Sequence, residues 1–294
     1  MRNASDSCET PEDAEALERL LYGIRPRLHR FCARMVGSAI DGEDVAQEAM
    51  LKAFEAFPRQ AKIDNLEAWV FRIARNAALD LLRQRGRQSR VFVGEEIDAA
   101  DPVMDTDRGV VAAAGLRQFM RLPTAQRAST ILMDVLGYSL EEVASILETT
   151  VPAVKANLHR GRALLRSFAA EPDSVPSSLP DAERQRLFNY VDRFNARDFD
   201  AVRTMLAEDV RLDVNHRRTE GASLVGRYFS NYMAIADWRL APGLVEGRPA
   251  ALVYAADGSL AYFVALTWRE ERIATIRDFR YARYIMEAVA PIAF

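Results

Sequence analysis

At 294 residues the chain is long for one domain and comfortable for two or three, and its 49% hydrophobic and 28% charged content is that of a globular protein. Nothing in it approaches the roughly 20 apolar residues that cross a bilayer, so no membrane segment is expected. The net charge of −3 argues against polyanion binding only until it is divided along the chain.

Divided, the charge falls into blocks. Residues 1–16 carry net −4 and form a flexible acidic head, polar where a secretory leader would be apolar. Residues 17–90 carry net +5, residues 91–114 net −5 and residues 115–168 net +3. The remainder is net −2. Two basic modules are thus separated by an acidic connector. The two cysteines, Cys8 and Cys32, make no disulfide framework. His29 and Cys32 lie one helical turn apart but lack a second ligand pair, so no metal is expected.

The first module reads as helical. Leu17, Leu20, Leu21, Ile24, Leu28, Phe31 and Met35 recur at spacings of three and four. Pro26 predicts a kink or a fresh start within that helix. A second run follows Asp41 through Val45, Ala49, Phe54 and Phe57 and stops at Pro58. A third runs from about Leu66 to Arg85 with Trp69, Ile73, Ala77 and Leu81 at four-residue spacing. Residues 91–114, with Gly94, Pro102 and four aspartates, read as a linker.

The second module carries a helix-turn-helix. Ser139 and Glu142 form a capping box, each satisfying a backbone N–H at a helix start. Val143, Ala144 and Leu147 are expected to be buried. Glu148, Thr149 and Thr150 make the turn, and Pro152 suits the first turn of the next helix. That helix alternates a buried stripe (Val154, Leu158, Leu165) with a basic one (Lys155, His159, Arg160, Arg162, Arg166) able to enter a major groove.

Residues 170–183, rich in proline and serine, form a second linker. Beyond them one or two helices (Leu187, Val191, Phe194, Val202, Leu206) precede strand-like runs at 210–214, 250–254, 261–268 and 272–279, with turns at Gly247 and Asp257-Gly258. This predicts an α+β domain with a largely antiparallel sheet.

The segments Asp41-Gly42-Glu43-Asp44-Val45-Ala46-Gln47-Glu48 and Trp69-Val70-Phe71-Arg72-Ile73-Ala74-Arg75-Asn76, followed by 122–166, together resemble an extracytoplasmic-function (ECF) sigma factor of bacterial RNA polymerase. The resemblance spans 17–168. It implies that Asp41, Asp44, Gln47, Glu48 and Leu51 dock on the β′ clamp helices of core RNA polymerase, with the β flap as a further partner. It implies that Lys62, Asn65, Arg72, Arg75, Asn76 and Arg83 engage the minus-ten element of promoter DNA, Asn76 being the best candidate for a base. Lys155, Ala156, His159, Arg160 and Arg162 would read the minus-thirty-five element. Ala156-Asn157 stand where the family often has Ser-Arg, which leaves the bases read undefined. Trp69 could stack on a base, although its shared face with Ile73 favours the core. The acidic connector falls where the family threads a segment into the polymerase cleft.

Residues 188–202 and 206–210 resemble the opening of SnoaL-like domains of the NTF2-like superfamily, a cone of curved sheet around helices. The fold expected is therefore multidomain: two all-α sigma domains (17–90 and 115–169) followed by an α+β NTF2-like domain (184–294). Three roles stay open for the last domain. It could clamp the sigma domains intramolecularly, sense a small ligand, or catalyse through a set drawn from Asp213, Asn215, His216, Arg239, Asp257 and Tyr262. Tyr228, Trp238 and Tyr262, with Asp213 and His216, would line its pocket or interface. The reading taken is a sigma factor regulated in cis, not an enzyme, without catalytic residues or cofactor, and cytoplasmic. The alternative is a stand-alone helix-turn-helix regulator with a ligand-sensing pocket.

Overall fold

A computed structural model describes residues 11–59, 63–88, 115–168, 178–214, 217–233 and 238–294. Most of the acidic head and all of 91–114 lie outside these residues. The chain forms two compact units, Met1–Asp173 and Ser174–Phe294.

The first unit opens with α1 (Pro11–Val36), α2 (Ala39–Ala56) and α3 (Leu66–Gln88). The expected apolar stripe of α1 is buried, with Leu28, Phe31 and Met35 fully shielded. Pro26 does not interrupt α1, which continues through it. Proline cannot donate to the carbonyl four residues back, and that residue, Tyr22, is 81% exposed, where water can take the place of the missing N–H. Ser38 caps α2 by accepting from the Asp41 N–H, so the helix starts two residues before Asp41. At the crossing of α1 and α2, a Cβ on Gly42 would lie 2.5 Å from the Ala33 backbone, closer than carbon atoms pack. Beside this contact the Arg25 guanidinium reaches the buried Glu43 carboxylate at 2.6 Å. Burial would raise the Glu43 pKa, but Arg25, His29 and the Gln47 amide hold it below the usual value.

The unit continues with α4 (Leu116–Met120), α5 (Thr124–Thr130) and a π-helical turn (Ile131–Val135). Then come α6 (Leu140–Leu147) and α7 (Val151–Phe168), the helix-turn-helix. The capping box is formed as expected between Ser139 and Glu142. Glu148 ends α6 in the left-handed conformation, φ 53° and ψ 49°. Val143, Ala144, Val154, Leu158 and Leu165 are buried. Leu147 is only partly covered and Ile146 takes the inner position. The apolar cores of α1–α3 and α4–α7 are continuous. Arg127 of α5 joins them, donating to the Met35, Met120 and Leu122 carbonyls at 2.7, 2.9 and 2.9 Å.

The second unit contains α8 (Asp181–Asn195), α9 (Phe199–Thr204), β1 (Leu206–Val214), β2 (Arg217–Glu220) and α10 (Ala222–Met233). It ends with β3 (Trp238–Val245), β4 (Arg248–Ala255), β5 (Leu260–Arg269), β6 (Arg272–Asp278) and β7 (Ile292–Ala293). The sheet order is β2-β1-β6-β5-β4-β3-β7, antiparallel except for the parallel pair β1–β6. One sheet face and the helices enclose an aromatic core in which Phe194 meets Tyr190, Phe199, Phe229, Tyr232 and Trp238. Asn195 ties α8 to β3 by exchanging two 2.9 Å bonds with the Leu240 backbone. This is the α+β architecture expected, with β2, β3 and β7 in addition.

In a helix interior Gly→Ala ordinarily stabilises by about 1 kcal/mol. At Gly42 the sign should reverse, because the new methyl meets the α1 backbone; overpacking of this kind costs about 1–3 kcal/mol. Urea denaturation of Gly42→Ala should show a lowered midpoint.

Candidate nucleic-acid interface

Helix α3 presents Arg72, Asn76 and Arg83 on one face, four and seven residues apart, with Arg75 on its flank. Asn76 is exposed. Arg83 is exposed beside Asp80 at 3.1 Å. Arg75 is half-buried, and its Nε lacks a hydrogen-bond partner among the described residues. Arg72 reaches Glu148 of the helix-turn-helix at 2.8 Å. Asn65 caps α3, its Oδ1 accepting from the Ala68 N–H at 2.9 Å, so that oxygen is engaged with backbone. Lys62 lies outside the described residues. Trp69 is half-buried against the core with its ring 6.4 Å from Phe57, in line with the core reading.

On α2, Asp44 and Glu48 are exposed and Gln47 is half-buried. Leu51 and Phe54 stand beside them at 59% and 41% exposure. Two expectations are corrected here. Asp41 is not part of an exposed acidic surface: it is 6% exposed, and its carboxylate pairs with Arg85 at 2.7 Å, so burial is sustained by a guanidinium that α3 brings across. Phe54 was expected inside; α2 buries Val45, Ala46, Ala49 and Ala53 and turns Phe54 outward next to Leu51.

On α7, Lys155 is exposed, while Ala156, His159 and Arg160 are half-buried, Arg160 donating to Asn157 at 3.2 Å. Arg162 departs from the expected exposed basic stripe. It grips Asp134 with two bonds of 2.9 and 2.6 Å, and the Asp134 side chain is wholly shielded. Its planar fork is occupied in holding α7 against the π-helical turn. His29, considered as a metal ligand, is buried with Nε2 2.9 Å from the Ala39 carbonyl oxygen, and Cys32 is buried beside the core.

In the second unit the structure assembles a cluster that combines expected and unexpected residues. Tyr228 and Tyr232 of α10, one turn apart, both donate to the buried Asp278 carboxylate, Tyr232 at 2.7 Å. The Tyr262 hydroxyl is 3.3 Å from that of Tyr232, and the Tyr232 ring packs on Trp238. Burial pushes the Asp278 carboxyl up from its usual value, against the lowering effect of the phenol donors. It pushes the phenols of Tyr228 and Tyr232 up as well. Asp278 and Tyr232 were not anticipated, although Asp278 falls two residues after buried Ile276 and so on the inward parity of its strand. The structure does not bring Asp213 or Asp257 there. Asp213 lies on β1 with Arg211 at 3.3 Å, and Asp257 accepts from Ser259 in the β4–β5 turn. Arg239 is exposed, and together with Trp238 and Tyr254 lines an open groove of about 590 Å³. Asn215 and His216 lie outside the described residues.

Comparison with known proteins bears on both units. Residues 21–88 match the family Sigma-70 region 2, and residues 116–165 match Sigma-70, region 4. The ECF RNA polymerase sigma factor SigG of Mycobacterium tuberculosis is 30% identical over 271 residues, covering 80% of this chain and 72% of that protein. The chain belongs to the ECF RNA polymerase sigma factors. SigW of Bacillus subtilis is 27% identical over 171 residues, covering 52% of this chain and 89% of its own. Among solved structures, M. tuberculosis SigJ covers 89% of this chain at 22% identity and TM-score 0.34. A SnoaL-like protein of Burkholderia thailandensis covers 34% at 18% identity and TM-score 0.29. No helix among the described residues of this sigma factor is long and apolar enough to cross a membrane.

Two outcomes follow. Arg162→Ala strands a shielded carboxylate and should cost about 3 kcal/mol in urea denaturation, while leaving the salt dependence of DNA binding unchanged. Because folding raises the Asp278 pKa, the folded chain holds that proton more tightly than the unfolded one. Its contribution is therefore present at acid pH and lost as pH climbs from the ordinary 3.8 through the raised value. Thermal melts of wild type should fall in that window, and Asp278→Asn should flatten the slope.

Proposed function

We infer that this sigma factor reads promoters through two surfaces. The α3 face bearing Arg72, Arg75, Asn76 and Arg83 engages the minus-ten element, and the α7 face bearing Lys155, Ala156, His159 and Arg160 engages the minus-thirty-five element. The observation that carries this reading is the exposed Asn76 amide set between guanidiniums on one helical face. Guanidiniums suit the backbone and an amide suits a base edge, as opening a duplex requires: each flipped base costs a few kcal/mol that new contacts must offset.

Core RNA polymerase is held by α2, through Asp44, Gln47, Glu48 and Leu51, with Phe54 extending the apolar part of the surface. Asp41 supports that surface from beneath through Arg85. The β flap is the expected seat of the helix-turn-helix module. The chain acts on chromosomal DNA in the cytoplasm and is itself not a catalyst: polymerase supplies the chemistry, and no cofactor is called for. The Ser174–Phe294 unit regulates the sigma unit in cis. Its Asp278 carboxylate is occupied by two phenols of its own fold, which favours a structural centre over an acid–base pair. Asp213, Trp238 and Tyr262 are then structural or interface residues.

Run-off transcription with core polymerase tests the whole reading, and absence of a promoter-dependent transcript would refute it. Asn76→Ala should slow open-complex formation about tenfold while leaving polymerase binding intact. Lys155→Ala should lower the slope of log affinity against log salt by about 1. A chain ending at Phe168 should differ from the full chain in transcript yield; equal yields would overturn regulation in cis.

A further inference from the structure

Along α7 one polar contact links two residues of the reading helix itself. Arg160 donates through Nη2 to the Asn157 Oδ1, three residues earlier, at 3.2 Å. Both side chains are half-buried, at the border between the buried stripe of α7 and its solvent face. Asn157 stands where the family often has arginine. An arginine there would offer Arg160 no acceptor and would repel it across the same spacing.

We propose that Asn157 is a positioning residue for promoter reading: it aims the Arg160 guanidinium at a guanine of the minus-thirty-five element. The proposal rests on the two-surface reading above and supplies a base that this reading leaves undefined.

Arginine reads guanine by laying two parallel N–H groups on O6 and N7. A guanidinium has five N–H groups, and the bond to Asn157 takes one of them from Nη2. If that hydrogen is the one turned toward Nη1, the side fork of Nε and Nη2 stays complete. If it is the one turned toward Nε, the end fork of Nη1 and Nη2 stays complete. Either way a parallel pair remains for the base. What the bond removes is rotation of a long side chain, a freedom otherwise lost only when DNA arrives.

The helix beneath the pair is firmly seated. Val154, Leu158, Gly161 and Leu165 are buried. At Gly161, the residue after Arg160, α7 lies so close to α5 that a Cβ would come within 2.6 Å of the Thr130 hydroxyl oxygen. One residue further on, Arg162 grips the shielded Asp134. The direction of Arg160 is thus set by an anchored backbone and by a side chain that Asn157 restrains, which is what a base contact needs. Lys155, exposed on the same helix, suits a phosphate, which every sequence provides.

Base preference is the measurement that tests this, because it cancels any uniform change in affinity. Holoenzyme containing the full-length chain selects templates from a library randomised across the upstream element of a promoter it transcribes. Wild type should require guanine at one position, and Arg160→Ala should abolish that requirement. Asn157→Ala should weaken it about tenfold there and leave the other positions within about twofold. Asn157→Asp keeps the acceptor and should keep the preference, although its charge lowers affinity for every template. An unchanged profile in Asn157→Ala, or a lost preference in Asn157→Asp, would overturn the positioning role.

The double variant separates aiming from direct contact. If Asn157 acts only through Arg160, adding Asn157→Ala to Arg160→Ala changes the profile no further. A further loss means that the amide touches DNA itself, and the proposal fails. It fails equally if Arg160→Ala weakens all templates alike and makes the salt dependence shallower, the mark of a phosphate contact. A wild-type profile with no preference anywhere in the upstream element removes the two-surface reading and this proposal together, whereas a preference that ignores Asn157 removes this proposal alone.

Discussion

The first unit depends on one buried cation. Arg127 sits where α1, α4 and α5 converge, and it is held by three carbonyls, with no carboxylate paired to it among the described residues. Burial lowers its pKa to about 10, so the guanidinium stays charged at neutral pH and its hydrogen bonds to Met35, Met120 and Leu122 are charge-assisted. A carboxylate partner would have satisfied the charge locally. Carbonyls at the ends of two helices instead make the charge a joint between the module that melts DNA and the module that reads upstream. Remove it and the joint loses the ends of α1 and α4 together.

Around that joint the ion pairs differ in how far they are shielded from water. Arg25–Glu43, Asp41–Arg85 and Arg162–Asp134 each have at least one side chain under 10% exposed, and each fixes helices within one module. Their disruption would leave a desolvated charge, which is why they behave as structure. Arg72–Glu148 is the contrasting case: it spans the two modules and is open to water. The same chemistry, guanidinium on carboxylate, therefore contributes much or little according to burial.

Much of this was legible in the sequence, and the part that was not has a common cause. Helices α1, α3 and α6 were legible because apolar period and capping act within a few residues. The capping box at Ser139 needs nothing beyond Glu142. Asp41 and Arg162 were misplaced because their partners, Arg85 and Asp134, lie 44 and 28 residues away and no local rule names them. Strand β3 was missed because Pro242 and Gly243 look like a turn. In the sheet Gly243 instead leaves room for β7, whose Ile292 carbonyl would lie 2.4 Å from a Cβ at that position. Asp278 was passed over because an acid at a strand end reads as a turn residue until α10 supplies two phenols.

Glu148 carries one more implication. A non-glycine residue held at φ 53° bears roughly 1–2 kcal/mol of steric discomfort that glycine would escape. Helix ends of this shape usually take glycine, which has no side chain to offer. The chain keeps a carboxylate in the least comfortable backbone seat of its helix-turn-helix, and the left-handed twist aims that carboxylate back at α3 rather than onward along α7.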